Sequence, residues 1–599
     1  MVRDIPSFVA QLRRDGDLVE IDAEVDPHLE IAEIHRRVIA AGGPALLFKR
    51  PRGSEIPVAT NLFGTASRVD RAFGPRPEAF VARAVRLMHE LMPPTLGKIW
   101  AERDFFAQAL HLGTRSVARG PVTEVVDRPA RLDRLPLLTS WPEDGGAFVT
   151  LPLVYTEHPV DGRHNLGMYR IQRHSPDTTG MHWQIGKGGG FHHHVAQQRG
   201  ENLPVTVFVG GPPALTLAAI APLPENVPEL VLASLLLGER VALAANPTAH
   251  PHRLVADCEF AFIGHVAPNE LAPEGPFGDH YGYYSLRHDY PVFHVDALCH
   301  RRDPIWPATV VGKPRQEDVF IGDYLQRLLA PLFPVVMPNV RDLWSYGETG
   351  YHALAGAVVE ERYPREALQA AFRILGEGQL SLTKFLWVVG QPVDLRRPKE
   401  VLEHLLSRFH PETDLYVLSN ASMDTLDYTG PAVNKGSKGI MLGVGEPWRT
   451  LPRAAPAALP PGVTHAVVFC GGVLLVSGSS HGQDPEFAAR LPALFPDWPL
   501  VVAVDDPVQV GSSDTRFLWT VFTRFEPAAD LFAKHVRIER HHLVYSGPIA
   551  IDARFKAGYP AELRCDDATR DRVDRRWSEY FPGGKVPMGD SEAGHLDQV

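Results

Sequence analysis

An internal repeat in the C-terminal third constrains the fold of this chain more than any other feature. The pattern R-F-x-P-x-x-D-L occurs at 408–415 and again at 524–531. Each copy is followed by Y-[T/S]-G-P, at Gly430 in the first and at Gly547 in the second. Each unit has the pattern strand, helix, strand, which is typical of an α/β layer. Convergence on common α/β patterning is the alternative, but the matched motifs favour duplication.

The length of 599 residues is too great for a single hydrophobic core, so we expect several domains. Helix and strand patterns mix in the N-terminal part, strand patterns dominate the centre, and the repeat follows. The central part is predicted to form a β-barrel or sandwich with helical insertions. The predicted boundaries are 1–115 (α/β), 116–320 (strand-rich), 321–455 (α/β), 456–580 (its repeat) and 581–599 (a tail expected to be disordered).

Charge and cysteine usage exclude several classes of protein. The net charge of −11 argues against non-specific nucleic-acid binding. The four cysteines lie far apart without a CxxC pair, which argues against a disulfide framework or a zinc site and fits a reducing cytoplasm. The longest apolar run, at 465–478, is too short to cross a bilayer and contains a Gly pair, so we expect two strands and a turn. We therefore expect a cytoplasmic protein without a transmembrane segment.

The stretch HNLGMYRIQ, at 164–172, places an amide and a guanidinium in a strand-like run. Asn165 and Arg170 are five residues apart, so a regular strand would point them to opposite faces. Gly167 lies between them, and a glycine inside a strand often marks a bulge or a close approach of backbone. Either the two groups serve different neighbours, or the strand is bent so that both reach one site.

Two acids occur in the glycine-rich stretch LAPEGPFGDHYGYYS, at 271–285. Glu274 and Asp279 would lie close together there, and two adjacent carboxylates cannot both ionise cheaply, so the pKa of one should rise towards a value useful for proton donation. An arginine between them would keep one ionised and could also clamp a substrate carboxylate. By composition alone, such a loop is more often a plain turn.

Further motifs accompany this loop, in the order NLFGT, LDRLPLLTSWPEDGG, NLGMYRIQ, GGPPALTLAAIAPLPENVPE, EGPFGDHYGYYS and NKGSKGIMLG. Together they make nearly the whole chain similar to the UbiD family of prenylated-FMN-dependent decarboxylases. The resemblance implies an N-terminal α/β domain, a central FMN-binding split β-barrel and a C-terminal α/β domain, here duplicated, in a homo-oligomer (dimer or hexamer). It also implies a flavin prenyltransferase as the supplier of the cofactor.

The activity implied by the resemblance is reversible, non-oxidative decarboxylation of an aromatic acid through a covalent prenylated-FMN adduct. A hydroxyaryl or naphthoate-type acid of quinone biosynthesis is the expected substrate. The alternatives are a decarboxylase of α,β-unsaturated or heteroaromatic acids in catabolism, a flavin-binding assembly protein without activity, and a redox enzyme that uses ordinary FMN. The intact arginine and acids argue against the assembly protein.

The resemblance also assigns roles to residues. Arg170, Glu274 and Asp279 are the implied catalytic acid–arginine–acid network, with Glu274 as the expected proton donor. Asn165 and Glu229 are implied ligands of a divalent metal at the flavin phosphate, Mn²⁺ or Mg²⁺, with K⁺ as a further candidate ion. The other implied cofactor-binding residues are Met168, Tyr169 and Lys438, which matches a lysine that reaches the cofactor phosphate and is preferred over its repeat counterpart Lys556. Lys187, in a glycine-rich run, is a further candidate for a contact with the phosphate.

The third metal ligand is where the sequence departs from the family pattern. A histidine is expected in the segment after Arg170, but alignment places Gly186 or Lys187 at that point. We assign His182 to the metal, with a shift of register or a shell completed by water as alternatives, and expect most of the other histidines of this segment (His192, His193 and His194) on a surface loop. Glu229 has an alternative role as well, because Asn226-x-x-Glu229 matches a helix capping box.

Overall fold

The computed structural model describes residues 2–109, 112–183, 188–223, 227–592, 594 and 596. The chain divides into two compact units, of which the first takes in 1–312, 316–328 and 562–595, and the second takes in 313–315, 329–561 and 596–599. The chain therefore returns to its first unit after residue 561. The sequence predicted that the repeat unit would continue to residue 580. The earlier return is caused by contacts between residues far apart in the chain, which leave no local signal in the sequence.

The N-terminal part of the first unit mixes helices and strands, as expected. Helix α1 begins after Asp4, whose carboxylate accepts the Ser7 N–H at 2.9 Å, and buries its apolar side. The first two helices are each followed closely by a glycine in the left-handed region, Gly16 and Gly42. The elements are α1 (Ile5–Arg14), β1 (Leu18–Val25), α2 (Glu30–Ala40), β2 (Ala45–Pro51), β3 (Val58–Thr60), α3 (Ala66–Phe73), α4 (Arg76–Glu90), α5 (Leu96–Ala101) and α6 (Arg103–Ala109).

The central part of the first unit is rich in strands. Its elements are β4 (Thr114–Val117), β5 (Val125–Asp127), β6 (Phe148–Val149), β7 (Pro152–Glu157), β8 (His164–Gly167), β9 (Ile171–Gln172), β10 (Thr178–Gly180), α7 (Gly188–Arg199), β11 (Leu203–Val209), α8 (Pro213–Ile220), α9 (Glu229–Leu237), β12 (Val241–Ala244), β13 (Leu254–Val255), β14 (Phe260–Glu274), β15 (His288–His300), β16 (Trp306–Pro307) and α10 (Glu317–Leu329). Helix α10 runs on past the end of this unit at residue 328.

A seven-stranded antiparallel sheet dominates this part and positions the candidate site. Its order is β10-β15-β14-β11-β7-β8, with β5 paired to β15. Strands β14 and β15 are its longest members; Glu274 is the last residue of β14, and Asp279 lies in the connection between the two strands. Three smaller sheets accompany it, with orders β1-β2-β3-β16, β13-β12-β4 and β6-β9.

The second unit contains the sequence repeat. Its elements are α11 (Phe333–Val336), β17 (Val340–Ser345), β18 (Leu354–Val359), α12 (Glu366–Ile374), β19 (Phe385–Val389), α13 (Pro398–Arg408), α14 (Pro411–Asp414), β20 (Leu415–Ala421), β21 (Gly436–Gly443), β22 (His465–Cys470), β23 (Val473–Ser477), α15 (Phe487–Leu494), β24 (Leu500–Ala503), α16 (Pro507–Val510), α17 (Asp514–Arg524), α18 (Pro527–Asp530), β25 (Leu531–Glu539) and β26 (His542–Asp552). The apolar run at 465–478 forms β22, a turn and β23, as predicted.

The two copies of the repeat fold into sheets of identical topology. The orders are β17-β18-β19-β21-β20 and β22-β23-β24-β26-β25, and both alternate antiparallel, parallel, parallel, antiparallel along the sheet. The shared motif has one physical role in both copies. Asp414 accepts the His410 N–H at 3.0 Å and Asp530 accepts the Glu526 N–H at 2.7 Å, so each aspartate closes a short helical turn before a strand.

The C-terminal segment, residues 562–592, belongs to the first unit and includes α19 (Asp567–Tyr580). The expectation of disorder after residue 580 is not met up to residue 592, because polar anchors hold the chain. The Trp577 indole donates to Val586 O at 3.1 Å, and the Ser591 hydroxyl donates to buried Glu33 at 2.7 Å. Among the described residues, one helical stretch, 317–336, is long and apolar enough to cross a bilayer. Length and composition alone are weak evidence for a membrane span.

Candidate active site

The run from Asn165 to Arg170 is not one strand, because the chain changes sheet within it. Strand β8 ends at Gly167 and pairs with β7, whereas β9 begins at Ile171 and pairs with β6. The ring of Tyr169 folds back over Gly167, where a Cβ would lie 2.4 Å from the ring. Only glycine allows this approach. The run is therefore bent rather than one regular strand, and its two polar groups contact different neighbours, Arg170 the two acids and Asn165 the start of α7 at Gly188.

Arg170 lies in this break and binds both predicted acids. Its Nε donates to Glu274 Oε1 at 3.0 Å, and its Nη1 donates to Asp279 Oδ2. Its Nη2 donates to the Ser285 hydroxyl at 3.0 Å, and its guanidinium carbon lies 4.9 Å from the centre of the Phe277 ring. The structure therefore brings Arg170, Glu274 and Asp279 together, as the sequence predicts.

Both acids are buried, with exposed fractions of 1% for Glu274 and 7% for Asp279. Burial pushes the pKa of Glu274 upwards, but the hydrogen bond from His182 and the charge of Arg170 outweigh it, so its pKa lies below the ordinary value. The pKa of Asp279 is lowered too, because Arg170 and His280 outweigh its burial. We expected one raised pKa; instead the cluster holds two carboxylates ionised around one cation.

The acid loop, residues 274–285, is held by side chains that sequence reasoning missed. Gln172 accepts the Gly275 N–H at 2.7 Å and donates to Gly145 O at 2.7 Å. The buried Asp144 carboxylate accepts the Gly278 N–H at 2.8 Å. Gln172 follows Arg170 at a spacing of two, which places it on the same side of an extended chain and could have identified it. Asp144 has no comparable local signal.

A second polar group lies at the other end of the same run. Asn165 has a buried side-chain nitrogen without a hydrogen-bond partner, and a Cβ at Gly188 would lie 2.2 Å from its oxygen. Glu229 accepts the Leu166 N–H at 3.2 Å, next in sequence to Asn165. Burial raises the pKa of this carboxyl group. Oxygen ligands of this kind are those that Mg²⁺ and Mn²⁺ prefer, so the residues present fit a divalent cation.

The capping-box interpretation of Glu229 is wrong. Helix α9 begins at Glu229 itself, after Pro228 in the cap position, and no side chain caps it. Glu229 is therefore the first residue of the helix rather than the third, and its carboxylate is committed to the neighbouring strand. Asn226, the supposed cap, and Lys187, a predicted phosphate contact, both lie outside the described residues.

His182 lies in the arginine cluster. Its Nδ1 is 2.9 Å from Glu274 Oε1, and its ring centre is 4.2 Å from that of Tyr290. Within the described residues, no group of three histidine, cysteine or acidic side chains is arranged to hold a metal. The role of His182 as a metal ligand stays a prediction. Of the neighbouring histidines, His192 and His193 are buried on α7, not on a surface loop, and His192 bonds to Thr156.

Lys438 lies in β21 of the second unit and is buried. Its ammonium donates to Ser381 O at 2.6 Å and to Thr383 O at 2.8 Å, and burial lowers its pKa to about 8. Lys556, in the other copy, donates to Arg524 O at 2.8 Å and to Asp552 O at 2.9 Å. The contact of Lys438 with a phosphate, and the cofactor contact of partly buried Met168, remain predictions.

Comparison with known proteins decides the family. Three family models match, described as the N-terminal, Rift-related and C-terminal domains of 3-octaprenyl-4-hydroxybenzoate carboxy-lyase, at 9–88, 115–314 and 319–443. This chain belongs to the UbiD family. A Chlamydia pneumoniae protein, named as one of the subunits of a 4-hydroxybenzoate decarboxylase, is 50% identical over 574 residues, which cover 96% of this chain and 98% of that protein.

Other UbiD relatives are similar over less of the chain. A protein of Archaeoglobus fulgidus is 36% identical over 447 residues, which cover 74% of this chain and 92% of that protein. Among solved structures, vanillic acid decarboxylase of Sedimentibacter hydroxybenzoicus covers 77% of this chain and 96% of its own, with a TM-score of 0.66 and 24% identity. The UbiD-class enzyme HmfF of Pelotomaculum thermopropionicum, solved with FMN, gives a TM-score of 0.62 at 24% identity, with 77% of this chain and 98% of its own covered.

These matches confirm the predicted family, the mixed α/β multidomain fold and the assignment to the carboxy-lyases. The HmfF structures contain FMN or prenylated FMN, and several of the similar structures are of decarboxylases named for aromatic acids. The substrate, the metal and the individual roles of the site residues go beyond these matches.

Proposed function

We propose that this UbiD protein decarboxylates a hydroxylated aromatic acid without oxidation, with prenylated FMN as cofactor and Arg170, Glu274 and Asp279 as its catalytic residues. The observation that carries the proposal is the buried arginine bonded to both acids. Relatives named for 4-hydroxybenzoate, vanillic acid and 3,4-dihydroxybenzoic acid support a hydroxyaryl substrate. Naphthoate-type carboxylic acids are the second group of proposed substrates, after hydroxyaryl acids.

Arg170 is suited to bind and orient a carboxylate. A guanidinium offers donors in a planar fork that matches a carboxylate, and burial keeps water from competing for it. Glu274, Asp279 and Ser285 each accept from one of its three nitrogen atoms and fix its plane. The prenylated flavin, when bound, would accept the electron pair that decarboxylation leaves behind, which no side chain can do.

Glu274 is the better proton donor of the two acids. Its Oε1 accepts from Arg170 and His182, while its buried Oε2 has no hydrogen-bond partner. Asp279 instead uses Oδ2 for Arg170 and Oδ1 for the backbone and ring of His280. A substrate carboxylate that engages Arg170 would weaken the attraction that lowers the pKa of Glu274. Burial would then raise that pKa and favour the protonated form.

The other end of the run would hold the phosphate side of the cofactor. Asn165 and Glu229 supply an amide and a carboxylate oxygen on neighbouring elements, and glycine at position 188 leaves space beside the amide. We propose that they bind Mn²⁺ or Mg²⁺ there, with K⁺ as a further candidate. His182 is the sequence candidate for the third ligand, but its Nδ1 lies on Glu274 in the arginine cluster, so water molecules are the alternative that completes the shell. Lys187 and Lys438 are the candidate phosphate contacts.

The biological setting is inferred from the family. The family models are named for a carboxy-lyase that acts on a prenylated hydroxybenzoate, which supports a step of quinone biosynthesis. The proposal includes a cytoplasmic location, a homo-oligomer, and a separate flavin prenyltransferase that supplies the cofactor.

The test is CO₂ release by the full-length protein, purified after co-expression with a flavin prenyltransferase. A panel should contain 4-hydroxybenzoate, vanillate, 3,4-dihydroxybenzoate and a hydroxynaphthoate, with ¹³C-bicarbonate exchange to detect the reverse reaction. We expect release from at least one hydroxylated acid and none from protein loaded with unmodified FMN. A modified-flavin absorbance spectrum without turnover of any acid would contradict the proposal and favour an assembly protein.

A further inference from the structure

The C-terminal segment extends the acid loop by one strand. Leu563 N donates to Gly282 O at 3.0 Å, and Tyr283 forms an isolated antiparallel bridge with Glu562. Residues 277–285 of the acid loop form a narrow hairpin, with a bridge between Gly278 and Tyr284. The C-terminal segment thus lies along the outer edge of the strand that faces Asp279.

Main-chain hydrogen bonds within the hairpin tie Asp279 to the outer strand. Asp279 N donates to Tyr283 O at 3.1 Å, Gly282 N donates to Asp279 O at 2.9 Å, and Ser285 N donates to Phe277 O at 2.8 Å. Both main-chain bonds of Asp279 therefore go to Gly282 and Tyr283, the residues that meet the C-terminal segment. A shift of that outer strand would move Asp279 relative to Arg170.

The side chain of Leu563 is fully buried, at 0% exposure, beneath this hairpin. It forms a small cluster with Trp141 and Tyr284 that is separate from the main core of the unit. Trp141 in turn lies directly against the hairpin, because a Cβ at Gly278 would be 2.0 Å from its ring. Since cores are densely packed, removal of the leucine side chain would leave a void between these rings.

The Trp141 side of this cluster is fixed by a buried network on α2. Arg36 donates to Glu33 at 2.8 Å and to Ser140 O at 2.8 Å. Its guanidinium carbon lies 3.9 Å from the centre of the Trp141 ring. Glu33 and Arg36 are almost fully buried, so this contact is well shielded from water.

The Leu563 side is fixed by the same glutamate. The Ser591 hydroxyl donates to Glu33 Oε1 at 2.7 Å, and the adjacent Glu592 accepts the Cys565 N–H at 2.7 Å. Leu563 lies two residues before Cys565. Two routes therefore lead from Glu33 to opposite sides of the acid loop, one through α2 and one through the end of the chain.

We propose that Leu563 is a positioning residue for Asp279. The C-terminal segment holds the acid loop in the register that keeps the Asp279 carboxylate on Arg170, and it acts on the site without touching it. The consequence for catalysis rests on the proposed decarboxylase function. The mechanical part, an acid loop ordered by Leu563, is measurable without cofactor or substrate.

The test compares Leu563→Ala with Leu491→Ala in the full-length chain. Leu491 is also fully buried but belongs to the second unit, so it controls for general loss of packing. Without cofactor, amide hydrogen exchange of peptides covering 279–285 should quicken by about tenfold or more in L563A and stay unchanged in L491A. In the loaded enzyme, kcat of L563A should fall by about tenfold or more, with less change in KM. Leu563→Ile should retain most of the wild-type protection from exchange and most of the wild-type kcat.

Two results would overturn the proposal: unchanged exchange at 279–285 in folded L563A, or a loosened loop with undiminished kcat. If L563A does not fold, Leu563→Val creates a smaller void and is judged by the same criteria. Failure of the decarboxylase function is distinguishable, since the wild type would then release no CO₂ from any acid while the exchange difference persisted.

Discussion

The two ends of the run from Asn165 to Arg170 are polar in different ways. At the arginine end, each carboxylate has a charged partner, and the pKa values of both acids lie below their ordinary range. At the amide end, Asn165 keeps a buried nitrogen without a partner, and burial raises the pKa of Glu229. Arg170 pairs with both acids at one end, whereas at the other end an added cation would stabilise the ionised form of Glu229.

This difference separates two tasks. Unpaired buried polar groups cost free energy, and each end keeps one that a ligand could satisfy: the Asn165 nitrogen needs an acceptor, and Glu274 Oε2 needs a donor or a proton. The ion-paired acids of the arginine end also provide a fixed arrangement of charge. We therefore expect changes at the arginine end to affect turnover, and changes at the amide end to affect cofactor retention.

The largest effect should come from Arg170→Ala. Loss of the guanidinium removes the carboxylate clamp and leaves two buried acids facing each other, so CO₂ release should fall by about 10³-fold or more. The fold should persist, but with stability lower at pH 7 than near pH 4, because the acids can be neutralised by protonation there. Assays of CO₂ release and urea unfolding measure the two effects. Arg173→Ala is the matched control. Equal turnover of the two variants would contradict the catalytic role of Arg170.

Glu274→Gln should have the next largest effect. The amide keeps the shape but cannot supply a proton, so turnover should fall by about 10²- to 10⁴-fold, while flavin content stays at the wild-type level. Turnover and flavin absorbance of the same preparation check this. Glu270→Gln, on the same strand but exposed, should be unaffected. A fall in flavin content equal to the fall in turnover would contradict the assignment of turnover to the arginine end and of cofactor retention to the amide end.

Asn165→Ala and Glu229→Gln should show the opposite pattern. Each removes one proposed metal ligand, so retention of metal and flavin through dialysis should weaken by about 10- to 100-fold. Turnover per bound flavin should change little. Metal analysis and flavin absorbance after dialysis provide the measurement, with exposed Glu201→Gln as control. Full retention in both variants would contradict a metal site at the amide end.

The smallest effect concerns Asp144, a carboxylate of the arginine end that is held mainly by N–H groups. Burial raises its pKa to about 6, against roughly 4 in an unfolded chain. The folded state therefore binds this proton more tightly, and stability should fall by at most about 3 kcal/mol as pH rises from about 4 to about 6. Above pH 6 the contribution is constant. The free energy of unfolding in urea, plotted against pH over this range, should fall more steeply for the wild type than for Asp144→Asn. Parallel plots for the two proteins would refute the prediction.

Local sequence patterns were sufficient for part of this site. The glycine between Asn165 and Arg170 signalled a close approach, and the approach of Tyr169 to Gly167 accounts for the bend. The glycine-rich context of the loop favoured a plain turn, and the resemblance to the family identified its two acids. Their ionisation state was not predicted correctly, because it depends on Arg170, His182 and His280, whose positions are set by packing.

Other features of the site had no local signal. Asp144 and Glu33 are ordinary acidic residues in sequence, and only their burial and distant partners give them a role. The first residue of α9 was misjudged because Pro228 displaces the start of the helix beyond the expected cap. Errors of this kind in predicting helix ends arise where a side chain can bond either to a residue nearby in sequence or to a distant one.

The sequence by itself determined the repeated strand–helix–strand units, the family, and the residue types at the acid loop, because these depend on short-range periodicity and motif spacing. The tertiary structure alone decided that the chain breaks between two sheets at Arg170. It also decided that residues 562–592 return to the first unit to meet the acid loop. Contacts between residues hundreds of positions apart arise from packing and hydrogen-bond satisfaction, and neither leaves a periodic trace in the chain.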